Sequence, residues 1–280
     1  MQDIRLICID IDGTLLDSCH QLPPENRAAV LWAEKQGAAI CLMTARPPGA
    51  TVSIQQALDI QGPIACFGGG LLEYQGERLC DVRVPVQAAA LLVQEYAAKQ
   101  IHLSIYRDSG WYIDCRDKWS AQESQITGLT PMCANLGDII HTWGSHGAHK
   151  LLCMGQPEQL DCLYKALEAH QLGIQLLRSK DTYLEIMPQG AGKAQAMGIL
   201  CRQLGITPAQ VMALGDQDVD ASMLRAAGFG VAMGNSSPAA WQAAAYHTDT
   251  NDHAGVAKAI YEGFTGKLSS GREETADVMA

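Results

Sequence analysis

Two carboxylates follow directly after an apolar run near the start of the chain. Residues 6–9 have the composition of a buried strand, and Asp10, Asp12 and Gly13 come immediately after them. Because side chains alternate along a strand, Asp10 and Asp12 project to the same side, where two like charges need a cation or a shared proton. Mg²⁺ suits carboxylate and phosphate oxygens best, and Gly13 lets the backbone approach a ligand closely. In isolation, the pattern also fits a strand followed by an Asx turn.

Side chains able to bind phosphate or a metal recur where later elements begin or end. They are Thr44 and Arg46 after a second apolar run, Lys193 in the first turn of a predicted helix, and Asp216 and Asp220 after a further apolar run. Ligands of parallel α/β sheets bind at the carboxyl ends of the strands, so we expect these residues to meet Asp10 and Asp12 at one edge. Carboxylates, a hydroxyl and a lysine would together form a phosphoryl-transfer site.

Each of these residues has an ordinary explanation when it is considered alone. Lys193 fits a solvated position on a helix, while Asp216 and Asp220 fit an N-cap and a first-turn acid that complement a helix dipole. The combination, in this order, favours a catalytic site.

The segments that must position these residues alternate between strand and helix patterns. Predicted βα units over residues 1–82 and 188–265 indicate a parallel sheet with helices on both faces. Residues 83–187 instead repeat a helix followed by two antiparallel strands, on either side of a polar, irregular stretch. This predicts a smaller inserted α/β domain whose sheet has helices on one face. The tail 266–280 is polar and lacks periodicity, so it is predicted to be disordered.

Length and net charge restrict the classes of partner. The chain has 280 residues and a formal net charge of −10, with no basic run that could neutralise the phosphates of a polymer. This argues against nucleic acid and anionic membranes as partners. A small phosphorylated ligand is compatible, because it needs only a local cationic pocket. The sequence leaves open whether the protein is a monomer or a homodimer.

The sequence also predicts a cytoplasmic protein. Its first apolar run is interrupted by Asp10 and Asp12, unlike a signal peptide, and no later run reaches the roughly 18 apolar residues of a spanning helix. The ten cysteines are scattered without a C-x-x-C pair. They are typical of small core side chains in a reducing compartment, not of a disulfide framework or a zinc site.

Three histidines in a glycine-containing loop, His141, His146 and His149, raise the question of a second metal site. No carboxylate or cysteine keeps a regular spacing with them, so the sequence disfavours this site.

Four motifs together resemble those of the haloacid dehalogenase superfamily. The stretch Asp10-Ile11-Asp12-Gly13-Thr14-Leu15 is similar to its first motif, and Thr44, the region 184–193 and the segment 215–220 follow in the family's order. The insertion lies between the second and third motifs, where the Cof-type (subclass IIB) phosphatases carry a cap domain. The resemblance covers residues 3–264 and implies a Rossmann-like parallel core with an inserted α/β cap.

The resemblance also implies a role for each site residue. Asp10 would be the nucleophile and Asp12 the general acid and base, while Thr44 and Lys193, with Arg46 and Gly13 beside them, would bind the substrate phosphate. Asp216 would bind Mg²⁺ together with Asp10 and the backbone carbonyl of Asp12. Asp220 would support the water shell of the metal.

The sequence departs from the family pattern at several positions. Val219 occupies the position where the fourth motif usually has asparagine, and Ala45 stands where the second commonly has glycine. The family also often has Asn-Gly-Ala at 68–70 and a lysine near Trp241. An asparagine at position 219 could hydrogen-bond a metal ligand. We expect Asp216 and Asp220 to suffice without it, and the alternative is that Asp218 acts as a substitute ligand.

These inferences converge on a phosphatase. We expect Mg²⁺-dependent hydrolysis of a small phosphorylated metabolite, such as a sugar phosphate or a phosphorylated cofactor, through an aspartyl-phosphate. The alternatives are a phosphomutase or phosphosugar-conjugate phosphatase of the same subfamily, and a degenerate, non-catalytic phosphate-binding protein.

Overall fold

The computed structural model describes residues 2–96, 99–170 and 172–268. They divide into two compact units. The core unit contains residues 2–45, 51–80 and 192–268, and the inserted unit contains residues 46–50 and 81–191. The part of the predicted disordered tail from residue 269 onward lies outside the described residues. Among the described helices, none is long and apolar enough to cross a membrane.

The core unit is built on an eight-stranded sheet. In spatial order its strands are β14 (Tyr246–His247), β13 (Phe229–Ala232), β12 (Val211–Gly215), β1 (Leu6–Ile9), β2 (Ala39–Met43), β3 (Ile64–Cys66), β4 (Leu71–Tyr74) and β5 (Glu77–Asp81). β1 pairs in parallel with β2 and β12, and Ile9 is opposite both Leu42 and Leu214. The three strands therefore end at the same edge of the sheet.

Helices follow most of these strands. In chain order, the α-helices of the described residues are α1 (Pro24–Lys35), α2 (Pro48–Leu58), α3 (Val86–Glu95), α4 (Lys118–Thr127), α5 (Leu136–Thr142), α6 (Pro157–Glu168), α7 (Lys193–Leu204), α8 (Ala221–Ala226), α9 (Pro238–Ala243) and α10 (Gly255–Thr265). Leu6 and Cys8 of β1 belong to one apolar cluster with Met197 of α7. Ile7 and Ile9 point to the opposite face and are equally buried, so both faces of β1 are covered. The predicted Rossmann-like α/β fold class is confirmed.

The inserted unit has a sheet of its own, which is mostly antiparallel. Its strands, in spatial order, are β10 (Ile174–Lys180), β11 (Tyr183–Pro188), β9 (Lys150–Met154), β6 (His102–Arg107), β7 (Gly110–Ile113) and β8 (Met132–Cys133). One face of this sheet forms an apolar cluster that includes Leu103, Ile105 and residues of α3, α5 and α6.

The stretch predicted to be irregular between Cys115 and Lys150 in fact contains α4 and α5, so that prediction is wrong. Helix α4 begins with a capping box, in which the Asp117 carboxylate accepts the backbone N–H of Ser120 at 2.8 Å and the Ser120 hydroxyl accepts that of Asp117 at 2.9 Å. It ends at Gly128 in the left-handed conformation, with φ of 71°. These caps stabilise a helix whose surface is too polar to show a clear periodicity.

The prediction of helices on one face of the inserted sheet is also wrong. Tyr106 of β6 and Tyr183 of β11 donate hydrogen bonds to Glu123 of α4, at 3.3 and 3.2 Å. Along β6, the side chain of Tyr106 points to the face opposite that of Leu103 and Ile105. Helix α4 therefore lies on the face of the sheet opposite α3, α5 and α6. The hydrophobic pattern of the sequence did not indicate a helix on this face, because the contact between α4 and the sheet is made by polar side chains.

Candidate active site

A buried ion-pair cluster lies where β1 and β12 end. Asp10 follows β1, and its backbone N–H donates to the carbonyl of Leu214 in β12 at 3.0 Å. The Lys193 ammonium lies 2.5 Å from Asp10 Oδ1 and 2.5 Å from Asp220 Oδ1. Asp10, Asp216 and Asp220 each offer a carboxylate oxygen within 4.8 Å of the others. The structure thus brings together four of the residues that the sequence singled out.

The electrostatics of the cluster favour a cation. Burial raises the pKa of Asp10 well above its ordinary value, although Lys193 counteracts the shift. Burial alone would lower the pKa of Lys193, but the two adjacent carboxylates outweigh it and raise that pKa. Three carboxylates and one ammonium group carry an excess of two negative charges when all are ionised. A divalent cation would balance this excess, and the oxygen-only donor set suits a hard ion.

Asp220 organises the loop after β12. Its Oδ2 atom accepts the backbone N–H groups of Asp216 at 3.1 Å and of Gln217 at 2.9 Å, while Oδ1 faces Lys193. Both oxygens therefore already have strong partners. Asp220 accepts three such contacts and is placed to fix the loop and the lysine, whereas Asp216 accepts one hydrogen bond on each oxygen and Asp10 pairs with Lys193 through Oδ1.

Asp216 receives hydrogen bonds on both of its oxygens. The Thr14 hydroxyl donates to Oδ1 at 2.8 Å, and the Gln217 side-chain amide donates to Oδ2 at 2.6 Å. Burial raises the pKa of Asp216, while these two hydrogen bonds lower it in part. Sequence reasoning did not identify Thr14 or Gln217 as part of the site. Thr14 stands inside the first motif, which was the available signal, but Gln217 gave none.

Gly13 is required at its position by both conformation and space. Its φ is +78°, and a Cβ atom added there would lie 2.4 Å from Asp216 Oδ2. The Gly13 carbonyl also accepts a hydrogen bond from the Asn235 side chain at 2.8 Å. A side chain at position 13 would displace the carboxylate that we expect to bind metal.

Asp12 lies beside the cluster and is more accessible. Its side chain is 40% exposed, and His20 Nδ1 lies 3.3 Å from its Oδ1 atom. His20 is held at the end of a turn in which the Asp17 carboxylate accepts the backbone N–H groups of Cys19 and Gln21, at 2.9 and 2.8 Å. Asp12 can therefore exchange protons with solvent more readily than Asp10.

The two residues predicted after β2 have different positions. Thr44 is buried, and its backbone pairs with the carbonyl of Ala65 and the N–H of Gly68, each at 2.8 Å. It belongs to the core unit with Asp10. Arg46 is also largely buried but is grouped with the inserted unit, so its assignment to the phosphate site stays a prediction.

Asp218 and Val219, which raised the question of a substitute metal ligand, lie at the outer side of the loop. Asp218 is exposed and accepts a hydrogen bond from the Ser237 hydroxyl at 2.5 Å, while Val219 is half-buried. The three-carboxylate cluster comprises Asp10, Asp216 and Asp220 without Asp218. This arrangement favours the expectation that Asp218 is not needed as a ligand.

A second hydrogen-bonded chain, in the inserted unit, has the order of a catalytic triad. Ser104 Oγ lies 2.9 Å from His102 Nε2, and His102 Nδ1 lies 2.9 Å from Asp117 Oδ2. Ser104 is fully buried, however, and its hydroxyl also accepts the indole N–H of Trp111 at 2.8 Å. Because a substrate cannot reach Ser104, this chain is structural.

The loop histidines do not form a metal site with one another. His149 is buried, its Nε2 lies 3.0 Å from Asp81 Oδ1, and its Nδ1 accepts the backbone N–H of Asp108 at 3.0 Å. His141 and His146 are exposed. Across residues 2–96, 99–170 and 172–268, the three-carboxylate cluster is the group that could hold a metal.

Comparison with known proteins establishes the family. The model of the haloacid dehalogenase-like hydrolases matches residues 7–260. The chain belongs to this family. Haloacid dehalogenase-like hydrolases generally use a divalent metal, which the acidic cluster fits. The predictions of the family and of a hydrolase of phosphoric monoesters are confirmed.

Relatives within the family include two phosphatases with named substrates. The 5-amino-6-(5-phospho-D-ribitylamino)uracil phosphatase of Bacillus subtilis is 29% identical, over 92% of this chain and 95% of its own. The HMP-PP phosphatase of Serratia proteamaculans is 28% identical, over 84% and 85%. A solved haloacid dehalogenase-like hydrolase from Bacteroides thetaiotaomicron is 28% identical, with a TM-score of 0.86 over 93% of this chain and 100% of that one.

Proposed function

We propose that the protein is a Mg²⁺-dependent phosphatase that hydrolyses a small phosphorylated metabolite through an aspartyl-phosphate on Asp10. The observation that carries this proposal is the buried cluster in which Asp10 lies 2.5 Å from the Lys193 ammonium and within 4.8 Å of Asp216 and Asp220. A carboxylate is a poor nucleophile towards a phosphate dianion unless nearby cations reduce the repulsion. The cluster has one such cation and the donors for another.

Asp10 and Asp216, with the backbone carbonyl of Asp12, would hold the metal. Bound there, Mg²⁺ would neutralise phosphate charge and orient the phosphoryl group. Lys193 would neutralise further phosphate charge, and the Thr44 hydroxyl and the Gly13 N–H would bind phosphate oxygens. Arg46 is proposed as an additional phosphate-binding side chain.

The proposed reaction has two steps. In the first, an Asp10 oxygen attacks phosphorus, the bond to the leaving oxygen breaks, and the Asp12 carboxyl gives its proton to that oxygen. In the second, the Asp12 carboxylate removes a proton from water, which attacks phosphorus and releases Asp10 and inorganic phosphate. The partial exposure of Asp12 suits this role, since it must reach both the leaving group and water.

The relatives and the net charge support the substrate class that we propose. The two relatives with named substrates act on a phosphorylated uracil derivative and on HMP-PP. We propose a substrate of similar size, a sugar phosphate or a phosphorylated cofactor. The net charge of −10 supports a small ligand over a phosphorylated polymer.

A phosphatase screen tests the proposed function. The purified protein is assayed with an aryl phosphate and with a panel of sugar and cofactor phosphates, with Mg²⁺ and after chelation with EDTA. We expect phosphate release that requires added Mg²⁺ and is fastest for one class of metabolite. No release from any of these esters would contradict the proposal and would favour the non-catalytic alternative.

Asp12→Asn is expected to reduce kcat by about 10²–10⁴-fold, because an amide can neither donate nor accept the transferred proton. The loss should be larger for alkyl phosphates than for an activated aryl phosphate, whose leaving group needs little protonation. The measurement is kcat against leaving-group pKa for both proteins. A change in KM alone would show that Asp12 only binds substrate.

A further inference from the structure

Gln217 contacts Asp216, a proposed metal ligand, but has no role in the reaction proposed above. Its side-chain Nε2 donates to Asp216 Oδ2 at 2.6 Å, and hydrogen bonds to a charged acceptor are stronger than those between neutral groups. Gln217 itself is exposed, whereas Asp216 is only 1% exposed. Holding an exposed glutamine in such a contact costs side-chain entropy.

The backbone of Gln217 is anchored to the same cluster. Its N–H donates to Asp220 Oδ2 at 2.9 Å, and Asp220 is bound in turn to Lys193. The Gln217 side chain therefore extends from a backbone position that is held in place next to Asp216. This anchor reduces the number of conformations that the Gln217 side chain can adopt while still pointing at the carboxylate.

Thr14 provides the matching contact on the other side of Asp216. Its hydroxyl is fully buried and donates to Oδ1 at 2.8 Å, so each carboxylate oxygen receives one donor. Two donors on different oxygens fix the rotation of the carboxylate plane. Each oxygen still has lone-pair capacity for a metal, since an ionised carboxylate offers about four acceptor sites.

We infer that Gln217 is a positioning residue that holds Asp216 in the orientation that binds Mg²⁺. This inference rests on the proposed function. Contacts of this kind orient metal ligands, and their loss typically changes metal affinity or activity by about 10–100-fold. Val219, where the family motif usually has an amide side chain, is a hydrocarbon, and Gln217 supplies an amide to the same loop two residues earlier.

The competing explanation gives the opposite result. If Gln217 merely satisfies a buried carboxylate that must later turn towards the metal, its amide competes with Mg²⁺. Removing the amide would then strengthen metal binding. The two roles are therefore separated by the direction of the change in the Mg²⁺ dissociation constant.

Gln217→Leu tests the inference, because leucine is of similar size and has no donor. Mg²⁺ is titrated into the full-length, metal-free protein without substrate, and the heat of binding gives Kd. We expect Kd to rise by about 10-fold or more. The matched control is Gln203→Leu, the same change at an exposed position of α7, which should keep the wild-type Kd. Gln217→Ala repeats the test without a branched side chain, should the leucine variant fold poorly.

Activity provides a second readout that a distorted loop would not reproduce. For a positioning role, the Mg²⁺ concentration for half-maximal rate rises with Kd, while kcat at saturating Mg²⁺ stays close to that of the wild type. An unchanged or lower Kd, or a loss of kcat that saturating Mg²⁺ does not restore, would overturn the inference. Absence of Mg²⁺ binding by the wild type would overturn the proposed metal dependence as well, so the two failures are distinguishable.

Discussion

Asp10→Asn is expected to reduce kcat by at least about 10⁴-fold, since removal of a covalent nucleophile can cost on the order of 10⁶-fold. The amide cannot form the aspartyl-phosphate, although its size and shape are nearly those of the carboxylate. The fold should persist, because the Asn oxygen can still accept a hydrogen bond from Lys193. Burial raises the pKa of Asp10, and the charges of Asp220 and Asp216 raise it further, so removing one charge also lessens the repulsion among the three clustered carboxylates.

Two measurements on the same preparation check this prediction. Initial rates with an aryl phosphate give kcat, and circular dichroism with a thermal melt establishes that the variant is folded. Asp138→Asn is a suitable control, because it makes the same chemical change at an exposed position of α5 in the inserted unit. Wild-type kcat in folded Asp10→Asn protein would eliminate Asp10 as the nucleophile.

Lys193→Met is expected to destabilise the protein by about 3–5 kcal/mol, as is typical when one partner of a buried ion pair is removed. Lys193 is 2% exposed and lies between Asp10 and Asp220. Methionine fills much of the same volume, but both carboxylates then lack their cation. Activity should be lost with it, because Lys193 also neutralises the proposed substrate phosphate.

Urea unfolding gives the free energy of unfolding for this comparison. The control is Lys258→Met, which removes an exposed ion pair with Asp249 and should cost less than about 1 kcal/mol. The deficit of Lys193→Met should shrink as the pH is lowered. Burial raises the pKa of Asp10 and Lys193 counteracts that shift, so without the lysine the folded state takes up a proton at Asp10 more readily. Added Mg²⁺ should also reduce it. Equal losses in the two lysine variants would mean that Lys193 does not stabilise the cluster.

The sequence was sufficient to predict the parallel core sheet and to single out the residues of the three-carboxylate cluster. A strand that is covered on both faces has a continuous apolar run in its sequence. Residues Leu6–Ile9 have such a run, and every residue of β1 is buried. Since parallel strands end at one edge, the positions of Asp10 and Asp216 could be predicted from the ends of β1 and β12 alone.

Contacts between distant side chains could not be predicted in this way. Thr14 and Asp216 are 202 positions apart, and whether the hydroxyl reaches the carboxylate depends on the register of β1 with β12. Lys193 was expected to bind phosphate, but its pairing with both Asp10 and Asp220 needs the exact position of α7. Helix α4 could not be predicted for a related reason. It is specified by its caps and hydrogen bonds, which produce no hydrophobic periodicity in the sequence.

Trapping the aspartyl-phosphate is the most direct test of whether Asp10 is the nucleophile. The Asp12→Asn variant is mixed with an activated aryl phosphate and Mg²⁺, so that the aspartyl-phosphate forms but is hydrolysed slowly, and the mixture is quenched with acid. Borohydride then reduces the acyl phosphate to the alcohol, and mass spectrometry of the peptides locates the homoserine produced. We expect homoserine in place of Asp10, dependent on substrate and absent from the Asp10→Asn/Asp12→Asn double variant. Homoserine at another aspartate, or none in an enzyme that is turning over, would contradict that role.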